Sequence, residues 1–174
     1  MKKFLGLMVL MGYDLAQSDV SDKRRSICWQ AAERAWININ FDGASLGNPG
    51  HAGVACIARD DQGLIVEKLA EYIGKTTNNI AEFGAILKGV ELGMRLGAGK
   101  TYLEGDSLFI INAIRNQWVV SWQLRRWLTP ITEVLKSFEE FKCHIYREGN
   151  GLVDDLAKQL AEHKTIIDSL YSEQ

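Results

Sequence analysis

The sequence predicts an α/β domain built on a five-stranded mixed sheet, and three observations predict it. Apolar and polar residues alternate through Ile37-Asn38-Ile39-Asn40-Phe41-Asp42, the period of a strand. Two more β-rich runs follow, Ala52 to Arg59 and Leu64 to Ile73, joined by turn signals, so the first three strands form an antiparallel meander. The period then changes. Ala81 to Leu96 reads as a helix, and short strands alternate with helices to the end of the chain, which places helices on the sheet.

Taken in order, the first strand closes on its polar face at Asp42. Gly43, Gly47, Asn48, Pro49 and Gly50 then read as a tight loop that lets the backbone approach a ligand. Asp60-Asp61-Gln62-Gly63 is a turn with Gly at a positive-φ position. Thr76-Thr77-Asn78-Asn79 supplies cap residues for the helix, in which Ala85, Ile86, Gly89, Val90 and Gly93 share one face. Glu82 lies a turn earlier on that face, which aims it at the sheet. A Glu serving only the helix dipole would face outward.

Gly97-Ala98-Gly99 ends the helix, and Thr101 to Glu104 is a short strand. Asp106 stands at the junction with the helix Leu108 to Arg115, where a plain N-cap is the simple reading. Trp118 to Phe138 is mostly helical, broken or kinked at Pro130. Its Trp118, Trp122 and Trp127 are expected to pack on the sheet; with Arg125 and Arg126 they would alternatively form an aromatic and basic nucleic-acid surface. Lys142 to Arg147 is the last strand and Leu152 to Glu162 the last helix. On that helix Asp154 shares a face with Ala157 and Ala161, whereas Asp155 falls on a polar stripe with Lys158, Gln159 and Glu162.

Composition sets limits. The 174 residues, 47% hydrophobic and 24% charged, suffice for one domain with an appendage. A net charge of -2 gives no global signal for nucleic acid, so such a partner has to be argued from a site. Cys28, Cys56 and Cys143 lack metal spacing and read as free thiols of a reducing compartment, which makes the chain intracellular, nuclear or cytoplasmic. No apolar run is long enough to span a membrane, so no membrane partner is expected, and the chain is expected as a monomer. Lys2 and Lys3 before Phe4 to Met11 resemble a short targeting segment, but no small-x-small cleavage site follows; a poorly structured or packing helix is the alternative. The expected organisation is an appendage over 1–35, partly disordered, a domain over 36–164 and a tail over 165–174.

Asp42, Glu82, Asp106 and Asp154 all fall at or near strand ends or helix starts, positions that such sheets gather at one edge. Carboxylates crowded there repel unless a cation neutralises them, and hard oxygen ligands suit Mg2+ or Mn2+. Two such ions about 4 Å apart can stabilise both oxygens of a phosphodiester displacement. None of these motifs holds a His, which argues against zinc, and Gly47 to Gly50 lacks the Lys-Ser/Thr of a P-loop.

The runs Asp42-Gly43-Ala44-Ser45-Leu46-Gly47-Asn48-Pro49-Gly50, Thr77-Asn78-Asn79-Ile80-Ala81-Glu82, Glu104-Gly105-Asp106-Ser107 and Arg147-Glu148-Gly149-Asn150-Gly151-Leu152-Val153-Asp154-Asp155-Leu156-Ala157 resemble type-I ribonuclease H. The likeness covers Trp36 to His163 and is nearest the plant, retroelement-derived reverse transcriptase-like branch. It implies a ribonuclease H-like fold with helices on both faces, and endonucleolytic cleavage of RNA in RNA–DNA hybrids with two Mg2+, or Mn2+, ions. It implies Asp42, Glu82, Asp106 and Asp154 as catalytic metal ligands. Ser45, Asn48, Asn78 and Asn79 match positions that hold the hybrid, partly through ribose 2′-hydroxyls, the group that tells RNA from DNA. Three features depart from the pattern: there is no basic protrusion between Arg115 and Pro130, no histidine in Glu148 to Gly151, and Ile80 stands at an often basic position. The rival expectation is a weak or inactive domesticated module that binds nucleic acid or protein; it need not keep the full acidic set.

Overall fold

A computed structural model describes residues 33–115, 118–145 and 150–172, with side chains described except at 144, 145 and 164–172. The expectations for residues 1–32, including Cys28, and for Glu148 and Gly149 lie outside the described residues. The elements are β1 (Trp36–Gly47), β2 (Gly50–Arg59), β3 (Ile65–Thr76), α1 (Asn78–Arg95), β4 (Lys100–Gly105), α2 (Leu108–Ile114), α3 (Trp122–Leu135), β5 (Glu140–Ile145) and α4 (Gly151–Ser172). The strands form one five-stranded sheet in the order β3-β2-β1-β4-β5. β1, β2 and β3 are antiparallel neighbours, while β4 joins β1 and β5 joins β4 in parallel, so the sheet is mixed as expected.

Two differences from the sequence reading bear on the site. Asp42 does not close β1. The strand continues to Gly47, and Gly43, Ala44 and Ser45 pair with Val54, Gly53 and Ala52. Local glycine content signals a loop, but cross-strand pairing to β2 overrides it, and only Asn48-Pro49 remains as the turn. At the other end, α4 runs to Ser172, past the Glu162 end of the apolar pattern; no Gly or Pro lies between them to stop it. The Asp60 turn forms as read, with Gly63 at φ 82 and the Asp60 carboxylate accepting from the backbone N–H groups of Gln62 and Leu64.

The pleat divides the side chains between two layers. Ile39, Phe41, Val54, Cys56 and Leu103 face α1 and α3 and form the larger core with Phe83, Ile86, Val90, Ile110 and Ile131. Ala44, Ala55 and Ile57 face the other way and meet Val153 and Ala157 of α4. Asn38, Asn40 and Asp42 share the α4 face, and all three are buried. Helices therefore cover both faces. Cys56 and Cys143 are buried free thiols. Among the described residues, no helix is long and apolar enough to cross a membrane.

Two glycines let the helices come close enough to build the site. A Cβ on Gly43 would stand 2.3 Å from the backbone of Ala81, so α1 rests on β1 directly beside Asp42. A Cβ on Gly53 would stand 2.4 Å from the carbonyl oxygen of Ala157, so α4 rests on β2 in the same way. At the start of the described chain, the Glu33 carboxylate accepts from the Tyr102 hydroxyl (2.9 Å) and from Lys142 (3.3 Å), and the N–H of Ala35 donates to Asp61 (2.9 Å).

Candidate metal centre and nucleic-acid rim

Each acid reaches the site by a different route. Asp42 sits mid-strand, opposite Ala55 of β2. The parallel register pairs Asn40 with Glu104, so Asp106, two residues on, stands level with Asp42 just beyond the end of β4. Glu82 comes from the second turn of α1 and is buried, which is the inward orientation that the apolar face required. Carboxylate oxygens of Asp42, Glu82 and Asp106 all lie within 4.8 Å of one another. The N-cap of α2 is Ser107, whose hydroxyl accepts from the N–H of Ile110, so Asp106 is not spent as a cap.

Asp154, in the first turn of α4, stands against Asp42 and can share a hydrogen bond with it. Its other neighbour is Lys158, whose Nζ is 2.6 Å from Asp154 Oδ2. The sequence reading had put Lys158 on the stripe of Asp155. The (i, i+4) spacing reaches Asp154 instead, and Asp155 is exposed.

The electrostatics are those of mutually repelling, buried acids. Burial, then the charges of Asp106 and Asp154, pushes the Asp42 carboxyl up to about 7. Burial, then Asp42, Asp106 and Asp154, pushes Glu82 to about 9. Glu82 Oε2 is buried with no hydrogen-bond partner among the described residues. Buried carboxylates normally find donors or counter-charges. A hard divalent cation would satisfy these oxygens together, so the residues present fit such an ion.

The expected substrate-contacting residues gather on one rim beside this cluster. Asn48, at the tip of the β1–β2 turn, accepts from the backbone N–H of Asn78 at 3.2 Å, which joins that turn to the start of α1. Asn48, Asn78 and Asn79 are exposed, and Thr77 caps α1 by accepting from the N–H of Ile80. Ser45 is different. Its hydroxyl lies 2.7 Å from the carbonyl oxygen of Gly47 and 2.8 Å from that of Thr76. Its one proton is committed to backbone, and only its lone pairs remain for a ligand.

The tryptophans divide. Trp127 packs on the core with Leu124, Leu128 and Ile131, as expected. Trp122 does not pack; it is 79% exposed, and Trp118 (47%) and Val119 (89%) are exposed beside it. Helical geometry explains this. Trp122 and Ile131 are nine residues apart, two and a half turns, and so lie on opposite faces of α3.

The sequence reading assigned no role to Asn150. It is buried, and its side-chain amide donates to the carbonyl oxygen of Phe41 at 3.1 Å. Its signal was its place four residues before Asp154 at a helix start. A second missed feature is a polar ladder below Asp42. Asn40 donates to Glu104 at 3.0 Å and accepts from Arg59, spanning three strands.

Residues 40–160 match the reverse transcriptase-like family. The chain is 33% identical to ribonuclease HI of Halobacterium salinarum over 71% of its length, and spans 63% of that protein. The crystal structure of RNase H1 from Halobacterium salinarum superposes with a TM-score of 0.71 at 32% identity, over 74% of this chain and 98% of that one. LC11-RNase H1, isolated from compost and crystallised with an RNA/DNA hybrid, superposes with a TM-score of 0.67 at 26% identity, over 74% and 99% of the two chains. With its strand order, its convergent acids and these kinships, the chain belongs to the ribonuclease H family, as a reverse transcriptase-like member.

Proposed function

We propose that this protein hydrolyses the RNA strand of RNA–DNA hybrids endonucleolytically, using two Mg2+ ions that Mn2+ can replace. The observation that carries this reading is the convergence of Asp42, Glu82 and Asp106 to within 4.8 Å, with Asp154 against Asp42. Asp42, Glu82, Asp106 and Asp154 would together hold the ions. When bound, the ions supply Lewis acidity and neutralise charge on the scissile phosphate. The chain's own residues do the rest. The four carboxylates are gathered in a site walled by α1 and α4. Burial and mutual repulsion raise the pKa of Asp42 and Glu82 there, and a bound cation would favour their ionised forms. Lys158 offsets the charge of Asp154 and fixes its rotamer. The rim of Asn48, Asn78 and Asn79 offers amide donors and acceptors to ribose 2′-hydroxyls, which DNA lacks. Ser45 holds that rim together from below. The exposed Trp118 and Trp122 offer flat apolar faces to the hybrid, with Arg125 and Arg126 nearby for phosphates. The match to the reverse transcriptase-like family supports reading the chain as derived from a plant retroelement.

The test compares end-labelled RNA–DNA hybrid, double-stranded RNA and double-stranded DNA of one sequence, with Mg2+, with Mn2+ and with chelator. The expected result is cleavage of the RNA strand of the hybrid alone, lost with chelator. Tight hybrid binding without cleavage under any metal would replace the enzyme by a binding module.

A further inference from the structure

We propose that Asn150 is a positioning residue that sets Asp154 against Asp42, by stapling the start of α4 to the edge of β1; the proposal rests on the metal-centre reading above. The pairing of β1 with β4 ends at Asn40 and Glu104. The next residue of β1, Phe41, lies in the centre of the sheet, where a carbonyl without a partner is costly. Asn150 supplies that partner, Nδ2 to O at 3.1 Å, in a fully buried contact 109 residues apart in sequence. Its side chain thereby takes the place of a strand neighbour.

The backbone of the same residue begins α4. The carbonyl oxygen of Asn150 accepts from the N–H groups of Val153 (3.1 Å) and Asp154 (3.0 Å). One residue therefore grips the peptide immediately before Asp42 with its side chain and the peptide of Asp154 with its backbone. The two acids are connected through a single buried amide, and the offset between their carboxylates is fixed by its length.

A second observation separates this role from ordinary helix capping. Asparagine at a helix start usually turns its side-chain oxygen to the N–H groups of the first turn. Here Asn150 Oδ1 is buried and has no partner among the described residues. The amide forgoes the cap and spends its donor on β1. A residue selected only to start a helix would be as well served by serine, which caps but is too short to span to Phe41.

The geometry makes two substitutions informative. Asn150→Ser keeps a capping side chain and removes the staple. Asn150→Asp keeps the shape and places an acceptor against the Phe41 carbonyl. In the full chain, both should weaken Mn2+ binding measured by titration calorimetry, by about 10–100-fold, the range for partners that orient metal ligands. With saturating Mn2+, the KM for hybrid should stay as in the unmodified protein, because the asparagine rim is untouched. Amide hydrogen exchange in the absence of metal should quicken at Val153 and Asp154 and stay unchanged in α1. Wild-type Mn2+ affinity and wild-type exchange at Val153 and Asp154 in Asn150→Ser would overturn the proposal, as would acceleration spread equally over α1, which would mark a general loss of stability. Should the unmodified chain bind no Mn2+, the metal-centre reading falls, and the exchange rates alone then decide whether the staple exists.

Discussion

Asp42, proposed as a metal ligand, is a buried acid in an unfavourable environment. Burial and two neighbouring acids oppose its charge, and a site kept for ion binding tolerates that cost at the expense of stability. Asp42→Asn should therefore abolish hybrid cleavage while making the metal-free protein more stable at pH 8. A gain of about 1 kcal/mol would raise Tm by roughly 2–4 °C for a chain of this size, readable by calorimetry. Asp154 and Asp155 form a sharper pair. Asp154→Asn should impair cleavage strongly and raise the Mg2+ requirement, and Asp155→Asn should leave cleavage nearly normal; a metal titration of activity ranks them, and the reverse order would refute the register. This much was legible at single residues, because helical spacing alone puts Asp154 with Ala157 and Ala161. The partner of Lys158 and the staple from Asn150 were not legible, since both depend on where α4 lands on the sheet.

Among the elements, α1 and α3 show what local pattern can and cannot say. The inward face of α1 was readable because Ala85, Ile86, Gly89, Val90 and Gly93 repeat at helical spacing, and Glu82 followed from it. The extension of β1 through Gly43 to Gly47 was not, because Gly-rich sequence reads as turn until its partner strand is known. Gly43 is there for α1, and Gly43→Ala would drive a Cβ into Ala81. A backbone clash that close has no flexible side chain to yield, so we expect a loss well above the typical ~1 kcal/mol of a point mutation, seen as a large fall in the denaturation midpoint. On α3, Trp127→Ala should destabilise through lost core packing. Trp122→Ala should leave stability within about 0.5 kcal/mol yet weaken hybrid binding, through loss of its exposed apolar face beside Arg125 and Arg126. Chemical denaturation and a binding titration of the two variants separate the roles.

For the whole molecule, the fold was largely legible: five strands, their antiparallel opening and helices on the sheet follow from period changes and turn residues, and helices on both faces from the family resemblance. The strand register was not, and it is the register that brings Asp106 level with Asp42. The assembled charges give the molecule a pH signature. Asp42 and Glu82 ordinarily titrate near 3.8 and 4.5, and in the fold they are raised to about 7 and about 9. Between those limits the folded state holds more protons than the unfolded one, so metal-free stability should fall as pH rises from about 4 toward about 9. Mg2+ should restore stability most at the alkaline end, where both acids are ionised. Melting curves at stepped pH, with and without Mg2+, check the sign; stability that rose with pH in the absence of metal would contradict the cluster.

The central claim is that the convergent acids cut the RNA strand of a hybrid. Single-turnover cleavage of an end-labelled RNA–DNA hybrid at saturating Mg2+, by the unmodified protein and by Asp106→Asn, tests it most directly. The account predicts RNA fragments with 5′-phosphate and 3′-hydroxyl ends from the former. From Asp106→Asn, folded by circular dichroism and still binding hybrid, it predicts none. Cleavage by Asp106→Asn at the unmodified rate would contradict it.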